Sequence, residues 1–514
     1  MCGIAAALTG LLLGRFCAAE TIRVPEDYAT IQSALSSSSG GDSVCVAPGV
    51  FAGPGNRDLN FEGKSIALVG AGAGVTILDC EGEAGSPHRG IDFSSGEGPG
   101  TVVEALTIRN GHSATWSGGI NCRGSSPTLR RLVVEDCFAT TFGGGIGVWA
   151  GGSPLIEDCT LRFNQAGTEG GGVSSPEGAP TLRRCEIVSN TSGGGGGAFL
   201  RGGPALVEDC LFADNTCMGG GGGIKVRDCV VVVRRSTLRA NIATGSVGGG
   251  FAVAVSGNVE FQDVVVVGNS ADIDGGGVWI TAATSGILRQ CTISGNHAAG
   301  VGGGAAIYSS GVTLETTILR NNCTEDAGDD LYLGESIDGP AVVPAICCAF
   351  DPATVQGPGR LDVLNGVYVA EDPGFCIATP CTEAPSSEGI YSLRDDSPCL
   401  PANNPCGMLI GAQESGCSAA DADHVADPVV RLSLFPSPIS RTGTLRLWLQ
   451  PGDQAVDLYD ASGRHLATML DRPGYRAGGL VSLRLSSVLP AAGIYLIRVR
   501  GGGGFRAGSV VVLE

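Results

Sequence analysis

The chain has 514 residues, a formal net charge of −19 and 84 glycines that lack the strict triplet period of collagen. The acidic charge argues against nucleic acid as a partner, because phosphate binding needs a positive surface. Only 5% of the residues are aromatic, so a core must be built from small and aliphatic side chains. The length favours more than one domain.

Residues 1–19 contain an apolar run from Ile4 to Leu13 and end in small residues. This pattern resembles a secretory signal peptide, and we expect cleavage after Ala19. No later segment approaches the ~18 apolar residues that a membrane-spanning helix needs. We therefore expect a secreted or cell-surface protein without a transmembrane span.

Asparagine recurs at steps of 25 to 28 residues through the middle of the chain, and a run of glycines follows most of these asparagines. The repeated positions are Asn110, Cys137, Asn164, Asn190, Asn215, Asn241, Asn269, Asn296 and Asn321. Alternating segments such as Ile224–Arg227 and Val278–Ile280 follow the glycines and predict short β-strands.

A unit of this length with two or three short strands cannot bury its own apolar face, whereas units stacked in register at ~4.8 Å can. The repeat therefore predicts an all-β solenoid with a hydrogen-bonded asparagine ladder at one turn. The residues five positions earlier would form an inward stack of Ala105, Leu132, Cys159, Cys185, Cys210, Ser236, Val264, Cys291 and Thr316. We interpret its cysteines as buried thiols, with disulfides or metal ligation as alternatives.

The two residues before each inward position change the sign of their charge from one repeat to the next. The pairs are Arg130-Arg131, Glu157-Asp158, Arg183-Arg184, Glu208-Asp209, Arg234-Arg235, Gln262-Asp263 and Arg289-Gln290. In a stack with this register, each arginine pair has acidic neighbours above and below, which is stabilising. The alternation therefore supports the alignment independently of the asparagines.

The opening segment, Thr21–Phe51, resembles the start of right-handed parallel β-helix proteins of the pectin-lyase-like superfamily. The resemblance implies a short capping helix at Tyr28–Leu35 and strands at Ser65–Gly70 and Val75–Cys80. It covers residues 20–322 and predicts the fold, a right-handed parallel β-helix solenoid. It leaves activity open, because this superfamily mixes lyases, hydrolases, esterases, epimerases and proteins that are not enzymes.

Beyond residue 322 the asparagine spacing stops. Residues 323–417, with eight cysteines, are predicted to cap the open end of the solenoid, and their pairing is left open. Residues 418–428 are interpreted as a linker. Residues 429–514 carry ten arginines and five acids, a net of +5, against −24 for the rest of the chain, which indicates a separate domain.

This last domain is predicted to be a small C-terminal β-sandwich. Its predicted strands are Thr444–Leu449, Ala455–Tyr459, Val481–Ser486, Ile494–Arg500 and Ser509–Leu513. The segments Phe435–Pro438, Leu458–Arg464 and Leu489–Tyr495 resemble the C-terminal sorting domain of type IX secretion. They also resemble the immunoglobulin-like domain of flagellar hook-capping proteins. The resemblance implies an outer-membrane secretion machinery as a partner, with release or surface attachment.

The sequence predicts no catalytic and no cofactor-binding residue. Acids on the strands alternate with arginines, which favours charge neutralisation over a metal cluster, and His112 and His297 are interpreted as turn residues. A calcium site at Asp326, Asp329 and Asp330 is the weaker alternative to a solvated loop.

Aromatic and basic side chains share one outward face after the glycine turns. These residues are Trp149, Phe199, Arg201, Lys225, Arg227, Trp279 and Tyr308. Flat rings stack on sugars and cations suit acidic glycans, so we expect a glycan-binding strip on a monomeric binding or scaffold protein. The alternatives are a polysaccharide lyase or glycoside hydrolase of the pectin-lyase fold, and an adhesin or surface-layer protein.

Overall fold

The computed structural model describes residues 19–418, apart from 256 and 282, together with strands between residues 434 and 513. Four parallel sheets of 14, 13, 12 and 9 strands run the length of a β-solenoid. From residue 107 to residue 324 each coil contributes one strand to each sheet, so a coil has four strands and not the two or three expected. The predicted signal peptide and linker lie outside the described residues, apart from their edges.

The strands of the four sheets are short, and each pairs with the strand one coil before and one coil after it. The fourteen-stranded sheet consists of Thr21–Val24, Ser43–Val46, Ala67–Gly70, Val102–Glu104, Thr128–Arg130, Leu155–Glu157, Thr181–Arg183, Ala205–Glu208, Val230–Arg234, Gly257–Gln262, Ala283–Arg289, Val312–Glu315, Val342–Ile346 and Arg360–Val363. The thirteen-stranded sheet consists of Gly49–Ala52, Thr76–Asp79, Thr107–Arg109, Val133–Glu135, Thr160–Arg162, Glu186–Val188, Leu211–Ala213, Thr237–Arg239, Val265–Val267, Thr292–Ser294, Ile318–Arg320, Cys348–Ala349 and Tyr368–Val369.

The other two sheets complete each coil. The nine-stranded sheet consists of His112–Ser113, Phe138–Ala139, Gln165–Glu169, Thr191–Gly194, Thr216–Cys217, Ile242–Ala243, Ser270–Ala271, His297–Ala298 and Cys323–Thr324. The twelve-stranded sheet consists of Leu59–Asn60, Ile91–Phe93, Ile120–Arg123, Ile146–Trp149, Val173–Ser175, Ala198–Arg201, Ile224–Arg227, Phe251–Val253, Val278–Ile280, Ala305–Ile307, Leu331–Leu333 and Val355–Gln356.

The first coil carries the one α-helix of the described residues, Ile31–Ser37, three residues later than predicted. Thr30 begins it, because its Oγ1 accepts a hydrogen bond from the Ser33 N–H at 3.3 Å. Ile31, Ala34 and Leu35 are buried against the first strands. No helix in the described part of the chain is long and apolar enough to cross a bilayer.

The asparagine ladder is present, and its register differs from the prediction at both ends. Seven buried asparagines form it: Asn164, Asn190, Asn215, Asn241, Asn269, Asn296 and Asn322. Within the ladder, each Oδ1 accepts from the backbone N–H and the Nδ2 of the asparagine one coil earlier, as Asn215 does from Asn190 at 3.0 Å. Asn110 and Asn321 do not belong to it, because both are exposed corner residues with positive φ.

The inward stack is confirmed for Leu132 and the cysteines, and shifted by one residue at Ala105 and Thr316. Those two residues have φ of 57° and 43° at the coil corner, so Leu106 and Thr317 point inward instead. Burial raises the pKa of the Cys291 thiol to about 12. The Cys291 thiol therefore stays protonated and packs as a small apolar group.

The alternating charges form the predicted ion pairs between coils. The strand register places Glu157 between Arg130 and Arg183. Arg184 Nε lies 2.7 Å from Asp158 Oδ1, and Arg235 Nε lies 2.8 Å from Asp209 Oδ1. These contacts confirm that residues 25 to 27 apart are vertical neighbours.

The cysteine-rich segment starts as further solenoid and then turns back along its side. Parallel strands continue past residue 322 to Tyr368–Val369, and a three-stranded sheet of Phe375–Ile377, Ile390–Arg394 and Ser415–Cys417 follows. The latter part packs its buried apolar side chains on the outer face of the thirteen-stranded sheet, against Val267 and Ile318. Three disulfides hold the segment: Cys323–Cys381, Cys347–Cys406 and Cys376–Cys417.

The C-terminal region contains two small sheets, in line with the predicted all-β fold. One has three strands, Leu434–Phe435, Thr444–Leu449 and Gly479–Arg484. The other has five strands, Ile439–Ser440, Asp453–Asp460, His465–Asp471, Gly493–Gly501 and Gly504–Leu513. His465–Asp471 is the long strand that the sequence analysis did not predict.

Candidate functional site

The predicted glycan-binding residues lie on the outward face of the twelve-stranded sheet, in two neighbouring columns. Phe199, Lys225, Ala252 and Trp279 share one column through the strand register. The second column pairs Arg123 with Trp149 and Arg201 with Arg227, and Tyr308 directly follows the strand Ala305–Ile307. The alternation along the short strands therefore correctly predicts that these positions face away from the interior of the solenoid.

The end of this face nearer the N-terminus carries what we call the first aromatic cluster, Trp116, Phe142, Trp149 and Arg123. The Trp116 ring centroid lies 4.3 Å from that of Trp149 and 5.4 Å from that of Phe142. Arg123 Cζ lies 4.7 Å from the Trp149 ring centroid, a cation–π contact. The exposed group of the cluster is thus a guanidinium supported by an indole.

A chain of polar contacts fixes the orientation of Trp149. Its Nε1–H donates to Asn121 Oδ1 at 2.7 Å, and Asn121 Nδ2 donates to Asp92 Oδ1 at 2.5 Å. Arg89 Nη1 lies 3.7 Å from the same Asp92 oxygen. Asp92, Asn121 and Trp149 lie on three successive coils, so the parallel register brings them together.

The centre of the face is closed to a ligand at two of the predicted positions. Phe199 does not belong to the interior core, which contains its neighbours Ala198 and Leu200. It is nevertheless fully buried. Lys225 Nζ lies 5.9 Å from the Phe199 ring centroid and 2.9 Å from Glu169 Oε1. Phe199 and Lys225 therefore pack and neutralise charge, and they are not surface groups.

The second column keeps positive charge available beside this closed centre. Arg201 is half-buried, and its Nε–H donates to the Pro176 carbonyl at 3.1 Å. Arg227 is exposed, and its Nε lies 3.6 Å from Asp228 Oδ2. Within the part of the chain that the structure describes, no carboxylate lies within ion-pair distance of Arg123 or Arg201. Two cations of an acidic protein thus lack an internal counter-charge on this face.

The other end of the face carries the second aromatic cluster, Trp279, Tyr308, Tyr332 and Asp274. The Tyr308 ring centroid lies 6.4 Å from that of Trp279 and 6.0 Å from that of Tyr332. Tyr308 Oη donates to Asp274 Oδ2 at 3.0 Å, and burial together with this carboxylate raises the pKa of Tyr308 above its ordinary value. Trp279 Nε1 is buried and has no acceptor among the described residues.

Glycine makes room for the second cluster. A Cβ on Gly334 would lie 2.1 Å from Tyr308 Cδ1, so the ring lies directly over this residue. Sequence reasoning missed Trp116 because it precedes the glycine turn, and missed Tyr332 because it follows residue 322. The register Trp279–Ala306–Tyr332 would have identified the latter.

The other candidate groups of the sequence analysis do not converge. His112 stacks on Phe138 at 4.9 Å in the nine-stranded sheet. Asp330 is buried and accepts from Asn322 Nδ2 at 2.9 Å, while Asp329 accepts from the Thr324 N–H at 3.1 Å. Within the described residues, no group of three or more His, Cys, Asp or Glu side chains is arranged to hold a metal ion.

A shallow depression of about 430 Å³ lies elsewhere, at the corner between the fourteen- and thirteen-stranded sheets. Its charged lining residues include Arg184, Arg235 and Asp209. Arg184 pairs with Asp158, and Arg235 pairs with Asp209. Its two outermost guanidiniums therefore already have carboxylate partners.

Residues 118–338 match the family model of the right-handed β-helix region, and no curated protein gives a significant match. A solved pectate lyase, Pel9A, is 10% identical with a TM-score of 0.39, over 78% of this chain and 97% of that chain.

Two further solved structures are similar at the same low level. Tailspike protein 2 from Escherichia coli O157:H7 bacteriophage CAB120 is 11% identical with a TM-score of 0.31, over 96% of this chain and 68% of that one. A PL6 family alginate lyase, AlyGC, is 13% identical with a TM-score of 0.25, over 85% and 62%. These scores support no statement about activity. The family match and the stacked parallel strands together identify the solenoid as a right-handed β-helix.

Proposed function

We propose that this protein binds an acidic polysaccharide along the outward face of the twelve-stranded sheet. The observation that carries the proposal is that unneutralised cations and aromatic rings share one face of a chain with net charge −19. Arg123 rests on Trp149, and Arg201 lies two coils further along the same column.

The geometry of the face suits an extended polymer. Trp149 and Tyr308 lie six coils apart. At the strand spacing of a sheet, this corresponds to a distance of ~30 Å along the solenoid. Aromatic side chains offer apolar area for sugar rings, and guanidinium groups bind carboxylates or sulfates through charge-assisted hydrogen bonds. A rigid solenoid loses little entropy when it binds, because the contacting groups are already fixed.

The experiment is retention of the full chain on immobilised polyuronate and sulfated glycans, followed by titration. Trp149→Ala combined with Arg123→Ala disrupts the first aromatic cluster, and Trp279→Ala combined with Tyr308→Ala disrupts the second. We expect each double variant to weaken binding about tenfold or more, since stacked or charge-assisted contacts contribute over ~1.4 kcal/mol per cluster.

Tyr368→Ala is the matched control, because this exposed aromatic residue lies on the thirteen-stranded sheet. Binding unchanged in both cluster variants would overturn the proposal. Turnover of polyuronates by the wild-type chain, with unsaturated products, would establish the lyase alternative in place of simple binding.

We also propose export and surface attachment through residues 429–514. Support comes from the change of net charge to +5 in this region and from its motif resemblance to sorting domains. Expression in a bacterium with type IX secretion tests it: removing residues 429–514 should leave the solenoid in the periplasm. Equal export of both forms would contradict it.

A further inference from the structure

Three side chains near the start of the solenoid are arranged as a nucleophile, a base and an orienting acid. Ser86 Oγ lies 3.1 Å from His88 Nε2, and His88 Nδ1 lies 2.6 Å from Asp58 Oδ2. The group lies outside the two aromatic clusters. Ser86 and His88 belong to the loop between the strands Thr76–Asp79 and Ile91–Phe93, and Asp58 directly precedes the strand Leu59–Asn60.

The parallel register brings Asp58 to this loop from 30 residues earlier in the chain. Leu59 pairs with Ile91, which places Asp58 one coil below the residues that follow His88. The Asp58 N–H donates to the Arg89 carbonyl at 2.7 Å, and the Arg89 N–H donates to Asp58 Oδ1 at 2.9 Å. One carboxylate oxygen is thus held by the backbone, and the other faces the imidazole.

Ser86 is positioned by a two-residue hairpin. The N–H groups of Glu83 and Ser86 each donate to the carbonyl of the other residue at 3.0 Å. Pro87 follows and restricts the backbone between Ser86 and His88. The hydroxyl and the imidazole therefore belong to one short, internally bonded loop, whereas Asp58 belongs to the coil beneath it.

The hydrogen-bond directions follow from the chemistry of the three groups. An ionised carboxylate only accepts hydrogen bonds, so His88 Nδ1 is protonated and its N–H donates to Asp58 Oδ2. A neutral imidazole then has an unprotonated Nε2, which accepts from the Ser86 hydroxyl. This is the tautomer that a general base for serine needs.

We propose that Ser86, His88 and Asp58 form a nucleophilic site that hydrolyses acyl esters. Ser86 Oγ attacks the ester carbonyl carbon and its proton passes to His88 Nε2. The bond to the alcohol oxygen breaks, and that oxygen takes the proton from Nε2. Water then attacks the acyl-serine carbon, gives its proton through Nε2 back to Ser86 Oγ, and releases the carboxylic acid.

The hairpin also offers donors for the oxyanion that forms during attack. Ala84 and Gly85 are the two turn residues before Ser86, and their N–H groups donate to no acceptor among the described residues. Backbone donors of this kind stabilise tetrahedral intermediates strongly. Asp58 acts as the positioning residue for His88.

The exposure of the loop defines the substrate class. Ser86 and Asp58 are both exposed, so the site does not enclose a small molecule and suits a small acyl group carried on a large polymer. Arg89, next to His88, connects through Asp92 and Asn121 to Trp149. An O-acylated glycan bound at the first aromatic cluster is therefore the expected carrier. This substrate class rests on the proposed function, whereas the hydrolytic step does not.

The test uses the purified full chain with 4-nitrophenyl acetate and, separately, a fluorophosphonate probe. Ser86→Ala and His88→Gln should each lower hydrolysis about 100-fold or more and abolish labelling. Asp58→Asn should lower kcat while KM stays the same. Mass spectrometry should find the probe on the peptide that contains Ser86.

His297→Gln and Ser36→Ala are controls for unspecific imidazole and hydroxyl reactivity, and both should keep the wild-type rate. Hydrolysis that survives Ser86→Ala would show imidazole catalysis without a serine nucleophile and would overturn the proposal. Absence of both turnover and labelling in the wild type would overturn it as well. Glycan retention is measured independently, so failure of the esterase and failure of binding are distinguishable.

Discussion

In each coil of the ladder, the turn that carries the asparagine is followed by a strand of the twelve-stranded sheet. The residue at the turn is constant from coil to coil, whereas the residues on the outer face of the sheet change. At the turn, seven successive coils repeat one buried residue, from Asn164 to Asn322. On the outer face the corresponding column reads Phe199, Lys225, Ala252 and Trp279, and no residue repeats.

The difference shows that the fold requires a particular residue at the buried turn and accepts many residues on the outer face. A buried backbone turn has donors and acceptors that must be satisfied in each coil, so the same amide recurs. An outward column has no such requirement, so its residues can differ from coil to coil. Departures from the repeat are therefore the places where function should be sought in this molecule.

The largest effect is expected at the end of the ladder, where the register was predicted one residue early. Asn322→Ala removes the acceptor of two Asn296 donors, at 3.1 and 2.9 Å, and the donor to the Ile293 carbonyl. Leaving these buried groups unpaired should lower the free energy of unfolding by about 3 kcal/mol. Urea denaturation followed by circular dichroism measures it.

Asn321→Gly is the matched control, because Asn321 is exposed with φ of 63°, a conformation that glycine adopts readily. It should change stability by a few tenths of a kcal/mol. A larger loss for Asn321→Gly than for Asn322→Ala would contradict the register described above.

An intermediate loss of stability is expected at the coil corner where Arg184 forms ion pairs with Asp158 and Glu157. Arg184→Asp places a carboxylate beside Asp158 and Glu157, which Arg184 now contacts at 2.7 and 2.8 Å. We expect a lower urea midpoint that recovers in high salt, because exposed charges are screened. The double variant with Asp158→Arg restores the pairing and should recover most of the loss, and no recovery would argue against vertical pairing of these residues.

The pH dependence of this corner follows from its carboxylates. Hydrogen bonds from Arg184 lower the pKa of Asp158, and those from Arg235 lower the pKa of Asp209. Stability from these pairs is thus present above the unfolded value of about 3.9 and is lost as the pH falls through the lower folded value. Arg184→Ala should flatten the acid limb of a stability–pH curve.

The smallest effect, a slight gain in stability, is expected at Asp330, which accepts the last hydrogen bond of the asparagine ladder. Burial raises the pKa of Asp330, so its contribution to stability is lost as the pH rises from the unfolded value through the folded one. Asp330→Asn keeps an acceptor for Asn322 and removes the charge. Thermal unfolding at neutral pH should show a slightly higher midpoint than wild type, and a decrease would mean that the ionised form is needed.

The solenoid could be predicted because its signal is repeated. The alternation of Arg130, Glu157 and Arg183 and the recurrence of asparagine each set the same register, and the pairs Arg184–Asp158 and Asn190–Asn215 confirm it. The ends were shifted because Asn110 and Asn321 precede the true ladder positions by one residue. Sequence spacing alone cannot distinguish a corner residue with positive φ from the buried residue after it.

The outward direction of the predicted strip could be predicted from the sequence, whereas the burial of its members could not. Alternation correctly placed Trp149 and Trp279 outward, but it could not show that Lys225 and Glu169 close over Phe199, because these residues come from three different coils. The Ser86–His88–Asp58 group was missed for a related reason. Its acid comes from 30 residues away, across a loop that lengthens the local repeat.

The alternating signs at the corner constrain how this molecule can change its length over generations. Duplicating or losing a single coil between Glu104 and Glu315 would place arginine next to arginine, or acid next to acid, in the stacked column of alternating charges. Adding or deleting two coils at once keeps the alternation of charge. Relatives should therefore differ by even numbers of coils in this stretch, lengthening in increments of roughly 10 Å.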